Sequence, residues 1–210
     1  MKPLVLGVAA VALLLGGMFV GRQLVPQPNF DAAPETPAPS PSPGASPTPT
    51  TSPAPVPDGF VLFEDEEAGF SVAYPGSWER LESSDPQVRL VATPNGRDSL
   101  LVRVLQPGFA VTEDNLRQAK TLTDSLVRAG RNVKILAKPE PIRLGGLPGL
   151  FYFYSFRDSG TGKRGVHSHY FLFRGETMIT IVFQALPTKS FPELAPIFDQ
   201  VANSFRAGSQ

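Results

Sequence analysis

The stretch PGLFYFYSFRDSGTGKRGVHSHYFLFRGETMITIVFQA, residues 148–185, decides the fold of this chain. It holds three extended runs that are separated by short polar breaks: Pro148–Arg157, Gly165–Arg174 and Thr177–Ala185. Apolar side chains occupy both alternating faces of these runs, as the neighbours Phe151 and Tyr152 illustrate. A strand that is apolar on both faces is covered on both faces. The pattern therefore predicts three inner strands of a sheet with a layer on each side.

The first break, SGTGKRG at residues 159–165, predicts a hairpin turn and not a phosphate-binding loop. The Walker pattern requires a glycine where the chain has Arg157, and a Ser or Thr where it has Arg164. A P-loop also opens a helix, whereas this segment joins two runs of strand character. The second break, Gly175-Glu176, has the length of a two-residue hairpin.

Shorter extended runs and one helix are predicted before this stretch. The runs are Phe60–Glu64, Gly69–Tyr74, Gln87–Thr93, Asp98–Leu105, Asn132–Lys138 and Pro141–Gly145. The helix is expected to begin with Thr112 as its N-cap and to stop at Gly130. Its apolar residues have the spacing of one helical face: Leu116, Ala119, Leu122, Leu126 and Val127.

A second helix, Ser190–Arg206, is predicted after the three long strands. Its apolar residues again share one face: Leu194, Ile197, Phe198, Val201 and Phe205. Pro192 and Pro196 are expected in or near its first turn, where a missing N–H does no harm. The predicted fold class is α+β, a mainly antiparallel sheet sandwiched between helices.

The segment EDEEAGFSVAYPGSWE, residues 64–79, raises the question of a site at the first two strands. Its acidic run suggests calcium, but it lacks the alternating oxygen pattern of an EF-hand loop, so a solvated turn is the preferred interpretation. Pro75 is expected to end the second strand because it has no N–H. Trp78 is expected to cover the edge of the core with its large apolar ring.

Two segments carry a family resemblance: GFSVAYPGSWE at residues 69–79 and FDQVANSFR at residues 198–206. Together with the order of strands and helices between them, they resemble the PsbP/DcrB-like family over about residues 60–207. The resemblance implies an α/β/α fold shared with a Ran-binding nuclear import factor. It also implies an extracytoplasmic, membrane-associated accessory protein, such as a photosystem II subunit or a bacterial envelope lipoprotein. This chain has no cysteine for a lipobox, so a helix would have to replace the lipid anchor.

The N-terminal residues 1–25 predict a membrane anchor. Leu4–Val20 is an apolar run without charge, and at 1.5 Å per residue it reaches roughly 26 Å, near the thickness of a bilayer core. A cleaved signal peptide is the alternative, but GGMFVGRQLV offers no good small-x-small cleavage site. With Lys2 at one end, the positive-inside rule places the N-terminus in the cytoplasm and the rest of the chain outside. The expected location is a single-pass cell-membrane protein with its folded domain on the periplasmic, cell-wall or thylakoid-lumen side.

Residues 26–57 predict a disordered linker between this anchor and a folded domain at 58–210. The linker holds 12 of the 23 prolines and, apart from Asp31 and Glu35, no charge. As extended polyproline II it would reach about 100 Å at 3.1 Å per residue. An extracytoplasmic spacer is preferred over a ligand for SH3-like modules.

Composition excludes several functions. The 19 basic and 19 acidic residues balance, and no basic stripe is present, so nucleic-acid binding is not expected. Without cysteine there is no disulfide, thiolate nucleophile or CxxC metal site. No GxSxG elbow is present, and nothing marks a pair of glycosidase carboxylates. No enzyme and no cofactor are expected.

The remaining candidate for chemistry is VHSHYF, which contains the only two histidines, His167 and His169. On a strand both side chains point to one face. If Gly175-Glu176 forms a two-residue hairpin, His169 lies opposite Val182 and His167 lies opposite Gln184.

The turn near residues 158–163 would also bring Tyr152 and Tyr154 alongside this pair. Cross-strand aromatic packing is the preferred interpretation. A metal site at His167 and His169 lacks a third ligand. The third interpretation is a groove for a ligand or a partner, formed by Tyr152, Tyr154, His167, His169 and Gln184.

These observations favour a monomeric, non-catalytic accessory domain that binds, assembles or stabilises a membrane or envelope complex. The tether would confine the domain near the anchor and raise its effective concentration for membrane-bound partners. The alternative is a sensor for a small ligand or metal, or a tethered enzyme, that uses the groove near the two histidines.

Overall fold

The computed structural model describes residues 56–130 and 132–208. The predicted anchor at 1–25 and nearly all of the predicted linker at 26–57 lie outside these residues. Within the described ranges, no helix has both the length and the apolar character needed to cross a membrane. The two helices are α1 (Leu116–Arg128) and α2 (Phe191–Ser204).

Ten strands complete the described part of the chain. They are β1 (Phe60–Asp65), β2 (Phe70–Pro75), β3 (Glu79–Arg80), β4 (Val88–Thr93), β5 (Ser99–Leu105), β6 (Lys134–Leu144), β7 (Leu147–Arg157), β8 (Arg164–Arg174), β9 (Thr177–Ala185) and β10 (Arg206–Ala207). Seven of them form one antiparallel sheet in the order β3-β4-β5-β9-β8-β7-β6. The three long strands that the sequence marks as inner strands, β7, β8 and β9, all lie inside this sheet.

Two layers cover the large sheet, one on each face. On one side, α2 packs through Phe198 and Val201 together with a small sheet of order β1-β2-β10, which buries Phe70 and Val72. On the other side, α1 packs through Ala119 and Val127. The predicted α+β sandwich is confirmed, but β1 and β2 belong to the second, smaller sheet and not to the main one.

The predicted turns are confirmed where the structure describes them. Gly175-Glu176 joins β8 to β9 as a two-residue loop, and Gly175 has a φ of +56° that suits glycine. The loop between β7 and β8 is closed by Asp158, whose Oδ2 accepts hydrogen bonds from the N–H and hydroxyl of Thr161 at 2.7 and 2.6 Å. Trp78 is buried and meets Phe198 edge-on at the boundary of the core.

Asn132–Lys138 and Pro141–Gly145 were expected as two strands, but the structure has one strand, β6, with two register shifts. Because β6 is an edge strand, one row of its backbone groups needs no partner, and Pro139 and Pro141 fit there.

The helix boundaries also differ from those expected. Thr112 was expected to cap α1, but the helix begins only at Leu116. The side chain of Asn115 closes a turn instead, accepting from the N–H of Thr112 at 2.8 Å and donating to the carbonyl of Ala110 at 2.8 Å. In α2, Pro196 lies inside the helix and not in its first turn, so one intrahelical hydrogen bond is missing there.

Candidate functional site

The candidate site lies on the face of the large sheet that α1 partly covers. Antiparallel register aligns the side chains of this face in rows that run across four strands, β5, β9, β8 and β7. The first row is Ser99, Gln184, His167 and Tyr154, and the second is Leu101, Val182, His169 and Tyr152. The third row is Arg103, Thr180, Phe171 and Leu150. The predicted register of the two histidines is confirmed.

A cavity of about 360 Å³ lies above these rows. Its floor is the sheet, and its walls come from the C-terminal half of α1, with Leu126 and Val127, and from the loop between β3 and β4. The floor is lined by apolar and polar side chains in similar number, and the apolar ones include Val91, Leu101, Leu105, Phe156, Phe171 and Val182. The polar side chains that line it come mainly from the first and third rows and include Ser99, Arg103, Tyr154, His167 and Gln184.

A chain of hydrogen bonds links four side chains along the floor. Gln184 Nε2 donates to the carbonyl of Arg97 at 2.6 Å, and Gln184 Oε1 lies 2.9 Å from His167 Nε2. His167 Nδ1 lies 3.1 Å from the hydroxyl of Tyr154. The same hydroxyl lies 3.1 Å from Nδ1 of His169. Tyr154 therefore connects the two histidines.

The direction of this chain assigns a tautomer to each histidine. Because the amide nitrogen of Gln184 is used by Arg97, its oxygen must accept, so His167 carries its proton on Nε2. The Nδ1 of neutral His167 is then an acceptor and takes the single hydroxyl proton of Tyr154. The Tyr154 oxygen in turn accepts from Nδ1–H of His169. His169 is left with an unprotonated Nε2, for which the described residues offer no hydrogen-bond partner.

Both histidines are neutral at physiological pH. Burial lowers the pKa of His167 to about 4, against a smaller opposing effect of its bond to Gln184. Burial also lowers the pKa of His169 well below its ordinary value of 6.5, and repulsion from His167 and Arg103 acts in the same direction. Burial likewise raises the pKa of the Tyr154 hydroxyl, so it stays protonated. The site is a neutral donor–acceptor chain and holds no charge on these three rings.

Arg103 is the charged group of the floor, and only 7% of it is exposed. Its Nη2 donates to Asp85 Oδ2 at 2.6 Å and to Gln87 Oε1 at 3.1 Å. Its Nε has no hydrogen-bond partner among the described residues. The guanidinium that lines the cavity is therefore paired with Asp85, and its Nε–H is buried without a partner among the described residues.

Of the five residues predicted to form a groove, four line the cavity: Tyr154, His167, His169 and Gln184. Tyr152 lies on the same face but packs beneath α1. Its hydroxyl donates to Asp124 Oδ1 at 2.7 Å and lies 2.7 Å from the hydroxyl of Thr123. These bonds attach Tyr152 to the helix and not to the cavity.

The sequence interpretation missed Arg103 and Asp85. The signal for Arg103 was present in SLLVRVL, residues 99–105, where one charged residue interrupts an apolar strand. No comparable signal marked Asp85, which comes from the loop between β3 and β4 and reaches Arg103 only in the folded chain. Within residues 56–130 and 132–208, no group of three His, Cys, Asp or Glu side chains could hold a metal ion.

Comparison with known proteins identifies the fold. No protein-family model matches the chain, and no curated protein matches it in sequence. The chain is similar in structure to cyanobacterial PsbP (CyanoP) from Synechocystis, with a TM-score of 0.50, 17% identity, and coverage of 76% of this chain and 99% of that one. It is also similar to a Bacteroides thetaiotaomicron protein, with a TM-score of 0.50 and 15% identity, covering 71% of this chain and 48% of that one. The domain has a PsbP-like fold, as the sequence resemblance led us to expect.

Proposed function

We propose that this chain is a non-catalytic accessory protein, held on the outer side of a membrane, whose folded domain binds a small and mainly apolar molecule in the cavity above β5, β9, β8 and β7. The observation that carries the proposal is the cavity itself. Its volume of about 360 Å³ falls in the range of roughly 300–1,000 Å³ that is typical of small-molecule sites.

The composition of the cavity lining supports binding. Small-molecule sites are mostly apolar and contain a few polar groups that converge to orient the ligand. The cavity combines both kinds of side chain, since aliphatic and aromatic residues line it together with His169, Arg103 and Gln184. A cavity formed only to accommodate imperfect packing would not be expected to place a guanidinium and two imidazoles beneath its floor.

The state of the histidines supports a role without catalysis. A general acid or base works best when its pKa lies near the working pH. The pKa of His167 is about 4, and both of its ring nitrogens are already hydrogen-bonded. Burial also lowers the pKa of His169, and no described carboxylate hydrogen-bonds its ring to raise its basicity.

The location outside the membrane is supported by the sequence. The apolar run Leu4–Val20 and the proline-rich residues 26–57 have the composition of an anchor and a spacer. The resemblance of residues 60–207 to a family of extracytoplasmic accessory proteins agrees with this arrangement. In such a protein the domain would bind its ligand close to the membrane complex that it assists.

Ligand binding can be tested with the full chain reconstituted in liposomes, since Trp78 is its only tryptophan and reports unfolding of the domain. Small molecules from the host envelope should raise the unfolding temperature of the native chain. Leu101→Phe, which fills part of the cavity without adding a second tryptophan, should reduce this rise. Leu62→Phe, at an exposed position, is the matched control and should retain it. An equal response of both variants to every ligand would contradict the proposal.

Membrane topology can be tested by labelling intact cells. The chain has no cysteine, so Glu193→Cys at an exposed position of α2 provides a single thiol. A membrane-impermeant maleimide should label this thiol without cell lysis. Labelling only after lysis would place the domain in the cytoplasm. Crosslinks from the domain to one membrane complex, lost when the anchor is replaced by a cleavable signal, would support the accessory role.

A further inference from the structure

Strand β1 leaves one long edge of the small sheet open. In the described part of the chain the two sheets have four edge strands, β1, β3, β6 and β10. Strands β3 and β10 are two residues long, and β6 contains two prolines and two register shifts. Strand β1 has six residues, no proline and an unbroken register with β2. Short length, proline and irregular register protect an edge, so β1 is the edge that can serve as a template for a further strand.

The backbone of β1 offers hydrogen bonds on this open side. At the start of the ladder, the N–H of Gly76 donates to the carbonyl of the opposite residue, Gly59, at 2.8 Å. Hydrogen-bonded and non-hydrogen-bonded pairs alternate along an antiparallel ladder. Val61 is therefore bonded to β2, whereas the N–H and C=O groups of Leu62 and Glu64 point away from it. Among the described residues no strand pairs with β1 on that side.

The side chains beside this edge are apolar and exposed. Val61 is 43% exposed and Leu62 is 46% exposed. Consecutive residues of a strand point to opposite faces, so apolar surface lies on both sides of the edge. Val56, just before the strand, is exposed as well. Neighbouring exposed hydrophobic residues are typical of interaction surfaces, whereas single ones are common everywhere.

An acidic turn follows the apolar residues. Glu64, Asp65, Glu66 and Glu67 lie at the C-terminal end of β1. Arg89 lies 3.6 Å from Asp65 and 2.8 Å from Glu67. Glu64 and Glu66 are exposed and form no ion pair with another described residue. Two unpaired negative charges therefore lie at one end of the open edge.

These charges select the occupant of the edge. A second copy of the chain would bring the same acidic turn, and like charges across a strand pair are destabilising. The proline-rich residues 26–57 contain no Lys or Arg, so they do not supply a complementary charge either. The occupant that fits is an extended segment of another protein, with apolar residues in its centre and Lys or Arg at one end.

We propose that β1 pairs through its backbone with such a basic and apolar segment of a partner protein, whose apolar side chains contact Val61 and Leu62 and whose Lys or Arg faces Glu64 and Glu66. In strand addition, backbone hydrogen bonds supply affinity and side chains supply specificity. No residue of β1 lines the cavity, and its sheet covers the opposite face of the large sheet. The proposal therefore goes beyond ligand binding and does not depend on it.

The probe for the test is the peptide Lys-Thr-Lys-Val-Val-Val-Thr, acetylated, amidated and labelled with a fluorophore. Added antiparallel to β1, it places its second lysine opposite Glu64 and its second valine opposite Leu62. Fluorescence anisotropy measures its binding to the full chain in phosphatidylcholine nanodiscs. The same peptide with glutamate in place of lysine should bind about tenfold more weakly, because it brings like charges together.

N-methylated peptides test the use of the backbone. One edge of an added strand faces β1 and the other faces solvent. Methylation of one alternate set of peptide nitrogens should therefore abolish binding, and methylation of the other set should not. Equal binding of the two methylated peptides would show that backbone pairing is wrong.

Substitutions in the chain test the location. Leu62→Lys places a positive charge on the edge and should weaken binding of the lysine peptide by about tenfold. Leu136→Lys, at a leucine on β6 that is 45% exposed, is the matched control and should not. Glu64→Gln with Glu66→Gln should weaken binding and reduce its dependence on salt. Glu176→Gln, at another exposed acid, should do neither.

The result that would overturn the proposal is failure of the native chain to bind the lysine peptide, or binding that Leu62→Lys leaves unchanged. Sedimentation of the detergent-solubilised chain as a dimer that Leu62→Lys dissociates would also overturn it, since the edge would then belong to a second copy. Neither result affects the proposed cavity function, because Leu62 does not line the cavity.

Discussion

Nε2 of His167 lies 2.9 Å from Oε1 of Gln184, and the two residues are direct partners across β8 and β9. This single contact determines the protonation pattern of the cavity floor, because the other end of the Gln184 amide is held by the carbonyl of Arg97. The donor-to-acceptor order of the hydrogen bonds is then set at Tyr154 and at His169 as well. A cross-strand pair at one edge of the site thus determines the tautomer of His169, two side chains further along the chain of hydrogen bonds.

Removing Gln184 should destabilise the domain. Gln184→Leu leaves the Nε2–H of the buried His167 without its acceptor, and an unsatisfied buried group costs about 1–3 kcal/mol. Urea unfolding followed by Trp78 fluorescence measures the change. Gln200→Leu, at an exposed position of α2, is the matched control and should change the free energy of unfolding by less than about 0.5 kcal/mol. Equal effects of the two substitutions would contradict the prediction that Gln184 orients His167.

The free energy of unfolding should fall as the pH decreases from 6.5 to 4. The pKa of His167 is about 4 in the folded chain and 6.5 as the ordinary value, so the unfolded chain binds more protons in this interval. The stabilising contribution of neutral His167 is present above pH 6.5 and is lost on the way to pH 4, on the order of 3 kcal/mol at 1.36 kcal/mol per pKa unit. His169, beside His167 and Arg103, acts in the same direction.

The double variant His167→Gln with His169→Gln should lose most of this pH dependence, whatever its absolute stability. Two carboxyl groups, Asp124 and Asp158, also titrate, but they do so at a lower pH than the histidines. Burial opposes the ionisation of Asp124 and Asp158, but hydrogen bonds outweigh it and lower both pKa values below 3.8. Their contributions are therefore lost only at lower pH. A pH dependence between 6.5 and 4 that is unchanged in the double variant would contradict the assignment.

The hydroxyl of Tyr152 should stabilise the attachment of α1 to the sheet. Tyr152→Phe removes a donor to Asp124 and a partner of the buried Thr123 hydroxyl, at an expected cost of about 1–2 kcal/mol. Tyr170→Phe is the matched control, since no hydrogen bond joins the Tyr170 hydroxyl to another described residue, and it should change little. Thermal unfolding measures both. A larger loss from Tyr170→Phe than from Tyr152→Phe would contradict this view of the helix contact.

Gly149 should tolerate no side chain, because β7 and β8 approach each other closely there. A Cβ atom at Gly149 would overlap the carbonyl oxygen of Phe171 and lie 2.9 Å from Leu172 Cδ2. Gly149→Ala should cost about 1–3 kcal/mol, as overpacking does. Gly160→Ala is the control, since its nearest neighbour would be Asp158 Oδ2 at 3.7 Å, and it should be nearly neutral. Similar denaturation midpoints for the two variants would show that the strands can separate without cost.

Residues 58–210 should fold cooperatively without the preceding segments. Both core clusters and both sheets lie within the described residues from Phe60 onward. We expect a monomeric domain with a single unfolding transition that coincides by circular dichroism and by Trp78 fluorescence. Sedimentation analysis checks the monomeric state. Aggregation or a non-cooperative transition at neutral pH would show that the domain boundary is misplaced.

The sequence alone determined the three long inner strands of the sheet and their local register. Alternating apolar residues in β7, β8 and β9 require cover on both faces, and a two-residue turn at Gly175-Glu176 permits one pairing of His167 with Gln184 and of His169 with Val182. These are short-range properties, since a turn and the period of a strand depend on residues that are close in the chain. The PsbP-like fold was expected on a separate signal, the family resemblance of residues 69–79 and 198–206 together with the order of the elements between them.

Only the tertiary structure decided which of these residues form a site. Tyr152 and Tyr154 differ by two positions on one face, yet α1 packs over Tyr152 and leaves Tyr154 beside the cavity. Arg103 and Asp85 are 18 residues apart and meet because the loop between β3 and β4 folds back over β5. The free nitrogen of His169 depends on four side chains from three strands. Such relations depend on the packing of distant segments, which periodicity and turn length do not encode.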